Sequence, residues 1–162
     1  LIGANDTCDA INPDKTASEL KLSFDLLASI PQKSRLRILL SSIPQIYQLG
    51  VPEIRDHRTG TFALSCEVVR SQLLKFCNRL THWANDAEFQ SNVDQVQTMN
   101  ATLAEVARAA AVEHKNLDIK FSEALYNQNL TFDILASDCF HPNIMGQQQI
   151  SETLWNDQPW YK

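Results

Sequence analysis

Apolar residues recur at the three- and four-residue spacing of a helix in several parts of this chain. The most regular stripe lies between residues 93 and 110 and predicts a helix with one buried face. A second stripe, over residues 17–30, follows a capping box formed by Thr16 and Glu19 and stops before Pro31. Both segments are therefore expected to pack one side against a core.

Other segments have the lengths and spacings of further helices and of buried strands. Helical spacing also predicts helices over residues 68–83 and 143–155. The continuous apolar run 36–43 predicts a strand buried on both faces, and alternation over 117–121 predicts a short strand. Residues 1–4 fit the end of another buried strand. Strands alternating with helices predict a layered α/β domain with a parallel sheet.

Length and composition narrow the possible classes. The 162 residues contain no repeat, linker or low-complexity tract, which favours a single domain, and residues 44–60 form a long irregular stretch that could contact a substrate. The net charge of −5, without a basic cluster, argues against nucleic-acid binding. No apolar run is long enough for a transmembrane helix. The chain opens on Leu-Ile-Gly rather than Met, so we expect sequence to be missing upstream.

Four cysteines permit three complete disulfide pairings. If residues 67–84 form one continuous helix, Cys66 and Cys77 lie about 16 Å apart along its axis, too far for a disulfide. Cys8 and Cys139 could each be joined to the 66–77 region, and the remaining pairings stay open. The cysteines, with three Asn-x-Ser/Thr sequons, favour an exported protein over a cytosolic one with free thiols.

An Asp-x-x-His pair near the C-terminus has the spacing needed for base catalysis. The Asp138 carboxylate can hold one imidazole nitrogen of His141 and leave the other free to accept a hydroxyl proton. Pro142 favours extended backbone at His141 and so keeps it out of the helix that follows. Alone, the pair is equally compatible with a surface histidine hydrogen-bonded to a nearby carboxylate.

A second polar cluster follows the predicted strand at the N-terminus. Gly3 permits a sharp turn, Asn5 could direct its amide toward an oxyanion, and Asp6 could brace the loop. Parallel α/β sheets place their ligand sites at such strand ends. By itself the cluster is also compatible with an ordinary Asx-turn.

Taken together, the two ends resemble the third and fifth signature blocks of the SGNH (GDSL) serine hydrolases. Their amino-acid sequences are most similar to those of the phospholipase B-like branch. The matching segments are Ile2-Gly3-Ala4-Asn5-Asp6-Thr7-Cys8, Asp138-Cys139-Phe140-His141 and Leu154-Trp155-Asn156. The resemblance implies a three-layer α/β/α, flavodoxin-like fold. It makes residues 1–162 the C-terminal part of one hydrolase domain that lacks its N-terminal nucleophile segment.

The same resemblance implies a carboxylic-ester hydrolase (an esterase or lipase) that needs no metal or organic cofactor. The resemblance to the phospholipase B-like branch implies phospholipids or lysophospholipids as substrates. His141 would be the general base and acid, Asp138 its orienting partner and Asn5 an oxyanion donor, with Gly3 and Asp6 in support. The family's Gly-Asp-Ser block is absent from these 162 residues, and no Gly-x-Ser occurs at all. The chain alone is therefore expected to be inactive.

Two alternatives remain at this stage. The chain could be a non-catalytic binding or interaction fragment, or it could be active only beside a separate N-terminal fragment. His57, His82 and His114 lack metal-ligand spacing and are expected to be solvated or at the edge of the core. The sequence contains no Cys-x-x-Cys pair, so a zinc site is not expected.

Overall fold

The computed structural model describes residue 8 and residues 12–161. The helices are α1 (Pro13–Ser29), α2 (Pro52–Arg55), α3 (Asn78–Thr81), α4 (Asp86–Glu113) and α5 (Ile144–Asp157). The strands are β1 (Leu36–Ser41), β2 (Arg58–Thr59), β3 (Leu64–Ser65) and β4 (Leu117–Ser122). Short 3-10 helices occupy Ile46–Gly50 and Phe132–Ile134, and a π-helix occupies Val68–Leu74.

The two longer strands confirm the predicted parallel α/β arrangement. β1 and β4 pair in parallel, with Leu36 opposite Leu117. Leu117 and Ile119 are buried in the same core as the apolar face of α4, and α1 packs on α4 in turn. On the opposite face, the Trp160 indole N–H donates to Asp118 at 2.7 Å. Helices therefore cover one face of the strand pair, and the segment after α5 lies against the other.

One predicted boundary and one predicted burial pattern are wrong. α1 begins at Pro13 and not at the capping box of Thr16, because the Asn12 side chain already accepts the Lys15 backbone N–H at 2.9 Å and Pro13 suits the first helical position. β1 is exposed at its first two residues and half-buried beyond them, so the prediction of burial on both faces fails. Arg37 instead lies under the Tyr161 ring.

The predicted helix over 68–83 is interrupted. Its first part is the π-helix and its second is α3, and between them Lys75 and Cys77 adopt left-handed backbone angles. The break allows Thr81 to lie against the side chain of Arg70. The fully buried Arg70 guanidinium donates to Thr81 and to the Leu49 carbonyl. A buried guanidinium needs several acceptors, and a straight helix could not bring those two segments to it.

The disulfides join Cys8 to Cys77 and Cys66 to Cys139. The exclusion of a bridge between Cys66 and Cys77 is confirmed, although the continuous helix on which it rested is wrong. The region 44–60 is also more regular than expected, because the 3-10 helix Ile46–Gly50 and α2 bury Ile46, Leu49 and Ile54 in the core. Two disulfides are compatible with folding in an oxidising environment.

Candidate active site

Asp138 and His141 lie in a tight loop that precedes α5. The Ala136 N–H donates to the His141 carbonyl at 2.8 Å, and the Cys139 N–H donates back to the Ala136 carbonyl at 2.9 Å. Cys139 adopts a left-handed conformation with φ of 58°, and its fully buried side chain is bonded to Cys66. The loop is thus closed by backbone hydrogen bonds and attached covalently to a distant segment.

Asn143 fastens this loop to α5. Its side-chain oxygen accepts the Gly146 N–H at 2.9 Å, which caps the helix, while its amide donates to the carbonyls of Asp133 and Leu135 at 2.7 and 3.0 Å. A Cβ at Gly146 would overlap the Ile134 carbonyl oxygen, so a glycine is required for the helix to approach this closely. The first turn of α5 therefore supports the loop.

The two side chains have the geometry of an oriented imidazole. His141 Nδ1 and Asp138 Oδ2 lie 2.7 Å apart, and Asp138 Oδ1 accepts the backbone N–H groups of Phe140 and His141 at 3.0 Å each. An ionised carboxylate only accepts hydrogen bonds, so the proton lies on Nδ1 and Nε2 of the neutral ring is an acceptor. The His141 side chain is 59% exposed, which leaves its outer edge accessible.

Asp138 is kept ionised by these donors. Partial burial acts to raise its pKa, but the hydrogen bond from the His141 side chain and the two backbone N–H groups together hold the pKa of Asp138 below its usual value. The carboxylate therefore remains charged throughout the neutral range. It can stabilise the imidazolium that forms when His141 takes up a proton.

Two aromatic rings flank His141. The Phe140 ring centroid lies 5.1 Å from that of His141 and the Phe76 centroid 5.3 Å, both in edge-on arrangements. Phe76 comes from the segment between the π-helix and α3, and it also packs on Phe140 at 5.3 Å. Residue spacing does not predict the contact between Phe76 and His141, whereas Asn143 stands where a helix N-cap is expected, directly before apolar residues.

Gly3, Asn5 and Asp6 lie outside the residues that the structure describes. The nearest described residue is Cys8, whose Cα is 4.6 Å from that of Cys77. Whether the Asn5 amide faces His141 thus stays a prediction.

The other histidines occupy different environments. His57 stacks on Phe132 with ring centroids 3.4 Å apart, and His82 Nδ1 lies 3.1 Å from a Glu67 carboxylate oxygen. His114 is grouped with Asp25 and Glu113, all three offering ligand atoms within 4.8 Å of one another. Lys21 lies 2.9 Å from Asp25 and 3.4 Å from Glu113, so a side-chain cation already balances this cluster.

Comparison with known proteins identifies one family. The model of the family described as GDSL-like Lipase/Acylhydrolase matches residues 1–154. No curated protein and no solved structure matches significantly. Within the described part of the chain, no helix combines the length and apolar character needed to cross a membrane.

Proposed function

Because the chain belongs to the GDSL-like lipase/acylhydrolase family, whose members are hydrolases of the esterase and lipase type, we propose that His141 and Asp138 are its catalytic base and orienting acid. The 2.7 Å contact between His141 Nδ1 and Asp138 carries this proposal, because it leaves Nε2 as the acceptor on an accessible ring edge. No serine hydroxyl among residues 12–161 hydrogen-bonds to His141, so the nucleophile is assigned to a Gly-Asp-Ser segment outside this sequence.

The proposed reaction proceeds through an acyl-enzyme. The serine oxygen attacks the ester carbonyl carbon while its proton passes to His141 Nε2. The C–O bond to the leaving alcohol then breaks, and His141 returns the proton to that alcohol. In the second half, water attacks the acyl carbon and gives a proton to the same nitrogen. The bond between that carbon and the serine oxygen then breaks, His141 returns the proton to the serine oxygen, and the carboxylic acid is released.

The disulfide connectivity supports participation of the N-terminal block. Cys8 follows Asn5 by three residues, so the chain keeps their Cα atoms within about 11 Å of each other. Cys8 is bonded to Cys77, next to the Phe76 that packs on His141. In this proposal the Asn5 amide donates to the oxyanion of the tetrahedral intermediate, Gly3 allows the turn, and Asp6 braces it.

The substrate class and location form the finer part of the proposal. Acyl esters are the general substrates. Phospholipids or lysophospholipids are proposed because the residues of the two motif blocks resemble those of the phospholipase B-like branch. Two disulfides support an exported protein. The serine segment can reach the site either as the preceding part of the same polypeptide or as a separate N-terminal fragment bound to this chain.

A fluorophosphonate probe tests the assignment, since it reacts with activated serines. In a protein form that includes the Gly-Asp-Ser segment, we expect one labelled serine outside the present 162 residues. His141→Ala should lower the labelling rate by about 10³-fold or more because the base is lost, while the control His114→Ala should label at the parent rate. Stoichiometric labelling of any serine within the 162-residue chain by itself, or unchanged labelling of His141→Ala, would contradict the proposal.

A further inference from the structure

One segment, residues 66–77, is bonded to both motif-bearing ends of the chain. Its first residue, Cys66, forms a disulfide with Cys139, between Asp138 and His141. Its last residue, Cys77, forms a disulfide with Cys8, which follows the predicted oxyanion block. Residues from both ends are thus joined covalently to one short piece of backbone.

The backbone of the 66–77 segment is unusual where it approaches His141. It runs through the π-helix Val68–Leu74, a conformation found often at functional sites. Phe76 then lies between two non-glycine residues in left-handed conformations, Lys75 with φ of 55° and Cys77 with φ of 51°. Such conformations are unfavourable for residues with a Cβ and persist only where the surrounding structure enforces them.

Arg70 is one of the groups that enforce this backbone. Its buried guanidinium donates to the Leu49 carbonyl at 2.7 Å and to the Thr81 hydroxyl at 3.1 Å, and it lies 3.5 Å from a Glu67 carboxylate oxygen. The Arg70 carbonyl in turn accepts the Phe76 N–H at 2.9 Å. The Phe76 backbone is therefore held from inside the molecule, while its side chain is half-buried beside His141.

The His141 imidazole needs a second contact, besides its hydrogen bond to Asp138, to fix the orientation of its ring. A single hydrogen bond to Asp138 fixes Nδ1, but it leaves a ring that is 59% exposed free to tilt about that bond. The Phe76 ring meets the imidazole edge-on, with an interplanar angle of 78°, and also packs against Phe140. Tilting of the imidazole away from this orientation would lose its edge-on contacts with Phe76 and Phe140.

We propose that Phe76 is a positioning residue that holds the His141 imidazole in the orientation required for proton transfer at Nε2. This inference rests on the proposed function of His141. Phe76 acts through the imidazole and not on the acyl chain, so its removal should affect the chemical step for every ester equally. The 66–77 segment serves as the rigid support from which Phe76 is presented.

Steady-state kinetics with p-nitrophenyl acetate, butyrate and octanoate test the proposal in a protein form that includes the serine segment. Phe76→Ala should lower kcat about 10- to 100-fold for all three esters, as expected of a misplaced catalytic group, with KM nearly unchanged. Phe76→Tyr should restore most of the rate. The matched control Phe62→Ala, which removes a ring that is 85% exposed, should behave as the parent.

A loss that grows with acyl-chain length would assign Phe76 to substrate contact and overturn the proposal, as would an unchanged kcat. If Phe76→Ala does not fold, Phe76→Leu retains apolar volume without the ring and is expected to give a smaller loss of the same pattern.

A second measurement does not depend on activity. In the 162-residue chain, the proton that His141 Nδ1 shares with Asp138 should give a downfield NMR signal, which Phe76→Ala should broaden or remove. The signal from the His114–Asp25 pair serves as the internal control and should persist. An unchanged His141 signal in Phe76→Ala would overturn the positioning role. Unchanged ester turnover by His141→Ala would instead overturn the proposed function.

Discussion

The molecule contains two histidine–aspartate pairs of nearly equal length that differ in what surrounds them. His141 lies 2.7 Å from Asp138 in the loop before α5, and His114 lies 2.9 Å from Asp25 where α4 meets α1. Distance alone would assign both pairs the same chemistry, but their surroundings differ in exposure and in nearby charge.

The first difference is the nitrogen that each histidine uses. His141 donates through Nδ1 and leaves Nε2 on an accessible edge, whereas His114 donates through Nε2 and is only 15% exposed. A hydroxyl group, such as that of the proposed serine nucleophile, can approach the outer nitrogen of His141 without displacing protein atoms. At His114 the outer nitrogen is already used to join two helices.

The second difference is the charge near each carboxylate. Asp25 is paired with Lys21 as well as His114, and the hydrogen bond from Lys21 is the main reason that the pKa of Asp25 is lowered. Asp138 instead receives its hydrogen bonds from His141 and from two backbone N–H groups. Because no Lys or Arg among residues 12–161 pairs with it, the Asp138 carboxylate is directed at the His141 imidazole. Orientation and available charge, not proximity, are therefore the reasons for proposing His141 and not His114 as the base.

Replacing each aspartate by asparagine should reveal the largest difference in function between the two pairs. Asp138→Asn should lower kcat by about 10²–10⁴-fold, because the amide no longer favours the required tautomer or the imidazolium. Asp25→Asn should leave kcat within about twofold of the parent, as for most surface changes. The measurement is ester turnover by both variants in a protein form that includes the serine segment. Equal rates for the two would remove the distinction between the pairs.

The pH dependence of stability provides a smaller test. Because the folded-state pKa of Asp138 is lowered, its contribution to stability is present above the unfolded-state value of about 4 and is lost as the pH falls through the folded value. The free energy of unfolding should therefore be higher for the parent than for Asp138→Asn at pH 7, and this difference should shrink below pH 4. Denaturant titrations at several pH values measure it. A difference independent of pH would mean that Asp138 contributes no ionised interaction.

Periodic segments of the fold could be predicted from the sequence. The α4 stripe, the β4 alternation and the helix that follows Asn143 all depend on local spacing, and the structure confirms them. The break near Phe76 could not be predicted, because it depends on Arg70 bonding to Leu49, which is distant in the chain. Tertiary hydrogen bonds there override a helical pattern.

In the candidate site, too, the contacts between residues close in sequence could be predicted and those between distant segments could not. The Asp138–His141 contact is local in sequence, so its spacing was sufficient to predict it. The Phe76 contact and the choice between the two open disulfide pairings depend on distant segments meeting, which the spacing of residues does not determine. The two histidine pairs illustrate the limit further, since nothing in the sequence suggested that Asp25 and His114 would meet.

Ester turnover by His141→Ala, compared with His114→Ala, tests the central claim most directly. In a protein form that carries the nucleophile, with folding checked by circular dichroism, kcat/KM should fall by about 10⁴-fold or more for His141→Ala. For His114→Ala it should stay close to the parent. Turnover by His141→Ala within about tenfold of the parent would contradict the assignment of His141 as the base.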